Sequence, residues 1–436
     1  MRKDNILKRN VLVLGSGGRE YAICIALEKS NSVGNIIIAP GNSSMALRWS
    51  CKNITLTDQD AIISLALNNN IDLVIVGPEI CLVNGITDLM NKYNIPIFGP
   101  TAFGANLEGS KVFMKRFAQE FNIPTAPFEI FTTSKEAKDY IQKLKAPPVI
   151  KADGLCSGKG VIVSEDITSA LDAVDDILDK HIFGSAGNTI IIEERIAGQE
   201  ISIHALCDGE NYILLPIAQD HKRINDNDTG LNTGGMGTYA PVPISSLLKE
   251  NIRTLIIEPT LKGMRDKGHP FKGVLFAGIM ITPQNEPILL EFNVRFGDPE
   301  AQVILPLLDG DFVEACYACA TGSLQQNQLK VNSMNAICVV LAAKGYPQKI
   351  EVGDLITGLD KIKECDNLIV YHTGTQIVDD QYVTASGRVL NIVAIENSLM
   401  QAKENAYTAC EKINFNGMHY RTDIAAKALL YLRNNK

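Results

Sequence analysis

The stretch EFNVRFGDPE, Glu291 to Glu300, sets a carboxylate, an amide and a guanidinium two residues apart. The apolar run before it, Pro287 to Leu290, reads as a strand, and strand side chains alternate faces. Glu291, Asn293 and Arg295 are therefore expected on one face, with Phe292, Val294 and Phe296 packed on the other. Magnesium takes oxygen ligands, commonly one or two from the protein, with phosphate and water completing the octahedron. Glu291 and Asn293 offer two such oxygens, and Arg295 is a cation that could hold a transferring phosphoryl group. A solvated edge strand would not account for Asp298 and Glu300 following at once in a tight turn.

Other stretches also look built for phosphate. GSGGRE, Gly15 to Glu20, follows a strand and opens a helix, where free N–H groups and glycines let an anion approach. Glu20 stands where a dinucleotide fingerprint has its third glycine, which argues against NAD. KADGLCSGKG, Lys151 to Gly160, is not a Walker A loop, since Gly160 replaces the Ser or Thr that would bind magnesium. A strand lysine before a glycine run suits a lid over a triphosphate, with Lys151 on its phosphates. IIIEERIAGQEISI places Glu193 and Glu200 at strand ends, where they could accept from an adenine amino group and a ribose hydroxyl. Acids at strand ends are usually solvated, so this signal is weak by itself.

The elements that must position these groups come in βαβα order over the first hundred residues, which predicts a doubly wound parallel sheet. Turns at Gly15–Gly18, Pro40–Asn42 and Gly77–Glu79 follow strand ends, the binding side of such a sheet. NIPTAPF, Asn122 to Phe128, marks a boundary because its prolines break a helix. Gln219 to Pro243 is polar, Gly-rich and without period, and reads as a functional loop. The chain restarts at MNAICVVLAAKGYP as a smaller α+β region. A length of 436 residues predicts roughly two to four domains. A net charge of −8 argues against a general nucleic-acid or membrane-surface binder. The basic start, MRKDNILKRN, precedes an apolar run too short for a signal peptide or membrane span. The ten cysteines, including Cys316 and Cys319, are expected to be buried reduced thiols, in a cytoplasmic protein.

Lys111, Lys151, the glycine lid, the Glu193-to-Glu200 connector and E-x-N-x-R together resemble the ATP-grasp superfamily. GSGGRE, PGN, VGPE, KADGLCSGKGV, QDHKRINDNDTGLNTGGMGTYAP and EFNVRFGDPEAQ resemble the phosphoribosylamine–glycine ligase family from residue 11 to near the C-terminus. The resemblance implies a substrate-binding α/β domain over 1–108, an ATP-grasp domain over 109–327 with a mobile lid at about 124–196, and an α+β domain over 328–436. It implies ATP and Mg2+ or Mn2+ as cofactors, glycine and 5-phosphoribosylamine as substrates, and a monomer. ATP would be held by Lys111, Lys151, Gly158, Lys159, Gly160, Glu193, Glu194, Ile196 and Glu200, and the metal by Glu291 and Asn293. Arg295, Lys222 and Asp220 would be catalytic. Gly15, Gly17, Gly18, Arg19, Glu20, Pro40, Gly41, Asn42, Gly77, Pro78, Glu79, Asp298 and Glu300 would bind substrate.

Two departures stand out. Tyr21 replaces the family's usual His, and Phe276 to Thr282 lacks the acid that many ATP-grasp enzymes carry before E-x-N. A ribonucleotide carboxylase or formyltransferase of the same superfamily is the alternative enzyme. A nucleotide-sensing scaffold is the non-enzymatic one.

Overall fold

The computed structural model describes residues 7–156 and 158–434, so the first six residues of the basic start and Ser157 in the glycine run lie outside the described residues. Strands β1 (Arg9–Gly15), β2 (Val33–Pro40), β3 (Ser50–Cys51), β4 (Leu73–Val76) and β5 (Ile97–Phe98) form one sheet in the order β3-β2-β1-β4-β5. All its pairings are parallel, as expected. Val11 to Leu14 are apolar on both faces because both are covered. Leu12 and Leu14 enter one core, Val11 and Val13 another. β1 lies between β2 and β4, so the turns that close these three strands meet. Gly41 N–H donates to the Gly15 carbonyl, and Gly77 N–H to that of Leu14.

A small antiparallel sheet follows: β6 (Phe128–Phe131), β7 (Val149–Ala152), β8 (Val161–Val163) and β9 (Ile190–Glu193), in the order β6-β9-β7-β8. It has its own core, in which Ile150 and Ile190 meet the helices Ser134–Ile141 and Ile167–Val174. The glycine run is its β7–β8 connection. A second antiparallel sheet takes β10 (Gln199–Asp208) and β11 (Tyr212–Leu214), then the later β16 (Lys272–Ile281) and β17 (Pro287–Asn293), in the order β11-β10-β16-β17.

The segment from Gln219 to Pro243 is not a loop. It contains β12 (Gln219–Asp220), the hairpin β13 (Arg223–Asn225) and β14 (Thr229–Asn232), and β15 (Gly237–Ala240). These strands are too short to show a period, and Gly237 to Ala240 are all buried, so no alternation is visible. β12 and β15 belong to the C-terminal sheet, with β20 (Asn335–Ala342), β21 (Leu368–His372) and β24 (Arg388–Glu396), in the order β12-β15-β20-β24-β21. The central and C-terminal regions thus share one sheet. Two ribbons, β18 (Leu308–Gly310) with β19 (Leu329–Val331) and β22 (Thr375–Val378) with β23 (Gln381–Thr384), complete the strands. All ten cysteines are free; Cys365 is exposed, and Cys51 and Cys156 are half-buried, unlike the others. Among the described residues no helix is long and apolar enough to cross a membrane.

Gly15 and Gly77, in two of the first sheet's turns, are fitted to one side chain. A Cβ on Gly77 would stand 1.9 Å from Glu20 Oε1, and one on Gly15 2.5 Å from Glu20 Cδ. Gly77→Ala is therefore expected to cost about 1–3 kcal/mol, the usual range for overpacking, and to lower the melting temperature. An unchanged melting temperature would show that Glu20 is free to move.

Candidate active site

Three lysines and one carboxylate define the first part of the site. The helix Lys111–Glu120 starts at Ser110, whose hydroxyl caps Phe113 N–H. Asp153 of the glycine run accepts from Val112 N–H and Ser110 Oγ, both at 2.8 Å, docking the run on the helix start. Lys111 Nζ donates to the Gly154 carbonyl at 3.1 Å. One turn on, Lys115 is wholly buried, and its Nζ lies 3.0 Å from Glu193 Oε2. Lys151 Nζ lies 2.7 Å from Glu193 Oε1.

An ammonium has three N–H groups. Lys115 has three acceptors: Glu193, Thr125 Oγ1 at 2.8 Å and the Ala126 carbonyl at 3.2 Å. Lys151 has two, Glu193 and the Leu290 carbonyl at 3.1 Å, which leaves one N–H for a ligand among the described residues. Burial lowers Lys115 to about 8 against the pull of Glu193. Glu193 was expected to accept from adenine, but its two oxygens hold two ammonium groups. Glu194 is exposed and Ile196 half-buried in the connector to β10, while Gly158 and Lys159 are exposed and Gly160 is buried.

The second part is the end of β17. Its ladder with β16 pairs Ile279 with Leu289 and Gly278 with Glu291, so Leu290 is a bulge, and its carbonyl meets Lys151. Glu291 is half-buried and Asn293 buried. The strand stops at Asn293, so Arg295 sits in the bend beyond and not on the expected strand face. Among the described residues no three His, Cys, Asp or Glu side chains cluster as a metal cage. One carboxylate and one amide oxygen suit a hard divalent ion that phosphate and water complete.

Arg295 donates from Nε to Glu79 at 3.1 Å, from Nη2 to Glu108 at 2.7 Å and Asn293 Oδ1 at 3.1 Å, and from Nη1 to the Phe296 carbonyl at 3.2 Å. Glu108 Oε2 also accepts from Val294 N–H at 2.8 Å. Burial raises Glu108 to about 7 despite Arg295. Burial would raise Glu79 too, but Arg295 and Arg19 bring it below its ordinary value.

The third part surrounds Lys222, whose Nζ is 2.8 Å from Asp220 Oδ2 and 3.7 Å from Glu300 Oε1. Ser202 Oγ donates to Glu300 Oε1 at 3.1 Å. Burial, with Glu300 nearby, raises Asp220 to about 7, while Asp220 and Glu300 keep Lys222 charged against its own burial. Burial also raises Glu200, which has Lys222, Glu291, Glu300 and Lys151 as charged neighbours. Glu200 therefore faces this junction. Asp298 reaches the site with both oxygens engaged. Its Oδ2 accepts from Arg19 N–H, and its Oδ1 from Gln302 Nε2, with Arg388 Nη2 3.4 Å away. Arg388, from β24, donates to the carbonyls of Gly234 and Asp298, both at 2.7 Å.

The first sheet's turns supply the fourth part, with a correction. Two of the N–H groups at the start of the helix Gly18–Glu28 are taken by protein carboxylates. Gly17 N–H donates to Glu20 Oε2 at 2.7 Å and Arg19 N–H to Asp298 Oδ2 at 3.2 Å. Arg19 Nε donates to Glu20 Oε1 at 2.6 Å, and Glu20 is buried. Pro40, Gly41 and Asn42 close β2, and Asn42 Nδ2 donates to the carbonyls of Ser16 and His372. Gly77, Pro78 and Glu79 close β4, where Glu79 meets Arg295.

Sequence reasoning missed Lys115, Glu108, Ser202, His204 and Arg388. Lys115 had a signal, since it lies one helical turn after Lys111. Ser202 and His204 alternate with Glu200 on one face of β10. Glu108 and Arg388 had none. Tyr21 packs edge-on against Trp49 and Tyr371 in a buried aromatic cluster.

Three family models match the chain: the Phosphoribosylglycinamide synthetase N domain over residues 9–108, its ATP-grasp (A) domain over 109–301 and its C domain over 336–427. A phosphoribosylamine–glycine ligase of Rhodopirellula baltica is 44% identical over 433 residues, covering 97% of this chain and 98% of the relative. One from Vibrio cholerae is 43% identical over 422 residues, covering 96% and 98%. The crystal structure of a Thermotoga maritima phosphoribosylamine–glycine ligase, 34% identical, matches with a TM-score of 0.82 over 95% of this chain and 100% of that one. The biotin carboxylase domain of a Hydrogenobacter thermophilus 2-oxoglutarate carboxylase has a TM-score of 0.73 at 16% identity, covering 94% and 91% of the two chains, and shares the fold alone.

With one ammonium in place of two on Glu193, Lys151 is drawn inward. Lys115→Met is therefore expected to raise KM for ATP about tenfold, near the value of one charge-assisted hydrogen bond. An unchanged KM in a folded variant would show that the two lysines act independently. His204 makes a second test. It is fully buried, its Nε2 accepts from Gly297 N–H, and burial lowers it from 6.5 to about 4. Between these values the unfolded chain takes a proton that the native state refuses, so this contribution to stability, complete above 6.5, is lost as pH falls toward 4. Urea unfolding of His204→Leu should show less acid destabilisation across that window than the parent. Equal slopes would contradict the assignment.

Proposed function

The chain belongs to the phosphoribosylglycinamide synthetase family, and from that we propose how its residues share the work of the reaction. The protein is an ATP-dependent carboxylate–amine ligase of purine biosynthesis, joining glycine to 5-phosphoribosylamine to give glycinamide ribonucleotide, ADP and phosphate. Glycine's carboxylate is a poor electrophile. One of its oxygens attacks the γ-phosphorus of ATP and ADP leaves, giving glycyl phosphate. The ribosylamine nitrogen then attacks the acyl carbon, phosphate departs with that oxygen, and the nitrogen gives up a proton. Alignment of reactants in this way can supply roughly 7–11 kcal/mol.

Lys111 and the free N–H of Lys151 hold phosphates, with Gly158, Lys159 and Gly160 closing over them. The connector at Glu194 and Ile196 borders the base. Glu291 and Asn293 would hold magnesium or manganese, which when bound offsets phosphate charge. Lys222 and Glu300 fix glycine, and Asp220, raised to about 7 by its burial, is placed to accept the amine's proton. Arg295 orients Asn293 and ties it to Glu79, where the turns of the first sheet border the ribosylamine. We also place the reaction in the cytoplasm, carried out by a monomer. The observation that supports this reading most is the meeting of Lys151, Glu291, Asn293, Asp220, Lys222 and Glu300 about the end of β17.

Glycine labelled with heavy oxygen at both carboxylate positions, supplied with ATP, magnesium and fresh phosphoribosylamine, tests it. One label is expected in inorganic phosphate and one in the amide, because an amine expels phosphate from an acyl phosphate but not oxide from a carboxylate. Unlabelled phosphate with normal amide formation would exclude the acyl-phosphate route. ADP release with bicarbonate or formate in place of glycine would point to the carboxylase or formyltransferase alternative.

A further inference from the structure

Gly278 lies within β16, the strand between β10 and β17. Its ladder partners are Ser202 on one side and Glu291 on the other. Directly opposed residues of antiparallel strands point to the same face. This row therefore carries a hydroxyl, an empty position and a carboxylate. A glycine inside a strand costs about 0.5–1 kcal/mol relative to alanine, so its presence calls for a cause.

Backbone strain and crowding do not explain it. Its φ lies outside the positive region, so an L side chain meets no backbone strain. Its surroundings are not crowded either. A Cβ would meet Glu291 Cγ at 3.4 Å and the Glu291 carbonyl at 3.7 Å, both ordinary contacts. Gly273 on the same strand differs on both counts, with φ +104° and the Gly99 backbone 2.8 Å from its added Cβ. Among the described glycines without a positive φ, none meets less. Besides the bulge of β17 at Leu290, which lies opposite, the reason left for glycine in a strand is the close approach of something else.

The neighbours indicate what approaches. On one side Ser202 supports Glu300, which with Asp220 flanks Lys222. On the other stands Glu291. We infer that Gly278 is the floor of the amino-acid subsite, its missing side chain leaving the room in which glycine lies between Glu300 and Glu291. This rests on the function proposed above. The zwitterion's ammonium turns toward Glu300 and Asp220, and its carboxylate toward the Glu291 and Asn293 edge, where the phosphoryl group arrives. A methyl group on residue 278 stands in that space.

The test is Gly278→Ala, with Gly278→Val as the stronger form, each assayed for KM with glycine, ATP and phosphoribosylamine in turn. Alanine is expected to raise KM for glycine by at least about tenfold, the effect of one methyl group in a fitted pocket, and valine by more. The melting temperature and the KM for the other two substrates should stay near the parent values. A normal KM for glycine in the valine variant would overturn the inference. So would an alanine variant that fails to fold, since that would show that packing demands the glycine. A loss confined to ATP would assign the floor to the nucleotide instead. The parent protein separates this inference from its premise: if it forms no product with glycine the proposed function fails, whereas normal parent turnover with unaffected variants removes only the role of Gly278.

Discussion

A guanidinium removed from water must have its N–H groups met by acceptors, and the side chain of Arg295 meets this demand with groups from three parts of the chain. Four of its five N–H bonds go to Glu79, Glu108, Asn293 and the Phe296 carbonyl. Removing one partner of such a buried pair leaves a charge uncompensated, commonly at about 3–5 kcal/mol. The turn after β4, the segment before the helix Lys111–Glu120 and the end of β17 therefore hold together in one arrangement. The amide of Asn293 and the turn of Glu79 are joined through one cation. Arg19 adds to the join by donating to the same Phe296 carbonyl.

Glu193 shows the same economy of charge. A single carboxylate holds two buried ammonium groups, and the difference between them is one of hydrogen-bond count. Lys115 is saturated by fixed acceptors, whereas Lys151 keeps one donor. The first anchors the helix to β9, and the second remains available to a phosphate. The bulge at Leu290 matters here, because it turns a backbone carbonyl toward Lys151.

Several acids that look like ligand groups are instead consumed by the fold. Glu20 caps the helix Gly18–Glu28 and pairs with Arg19, while Asp298 holds the Arg19 N–H, Gln302 and Arg388. These contacts take up two of the N–H groups at the helix start from within, and they bring β24 against the turn that carries Glu300. The shared sheet explains how a C-terminal arginine arrives there. β15 pairs directly with β20, which pairs with β24, so the loops at Gly234 and Asp298 lie within reach of Arg388.

The sequence alone determined the parallel first sheet, since buried apolar runs broken by glycine turns admit little else. It also determined which residues could serve phosphate and metal, because those choices follow from residue type: Lys151 before a glycine run, Glu291 and Asn293 spaced by two. Their family wording then named the chemistry. Only the tertiary structure decided which charges face a ligand and which face each other. Glu193, Asp298 and Glu20 read alike as acids at element ends, and nothing local distinguishes a carboxylate paired with a lysine 42 residues upstream, as Glu193 is with Lys151, from a solvated one. The strands at 219–220 and 237–240 were hidden for a related reason. Two to four residues are too few for a period; the strand state of 237–240 comes from hydrogen bonds to β20, roughly a hundred residues away, and that of 219–220 from pairing in turn with β15. Pairing over such distances depends on how the whole chain closes, and that is settled by packing and charge compensation in three dimensions.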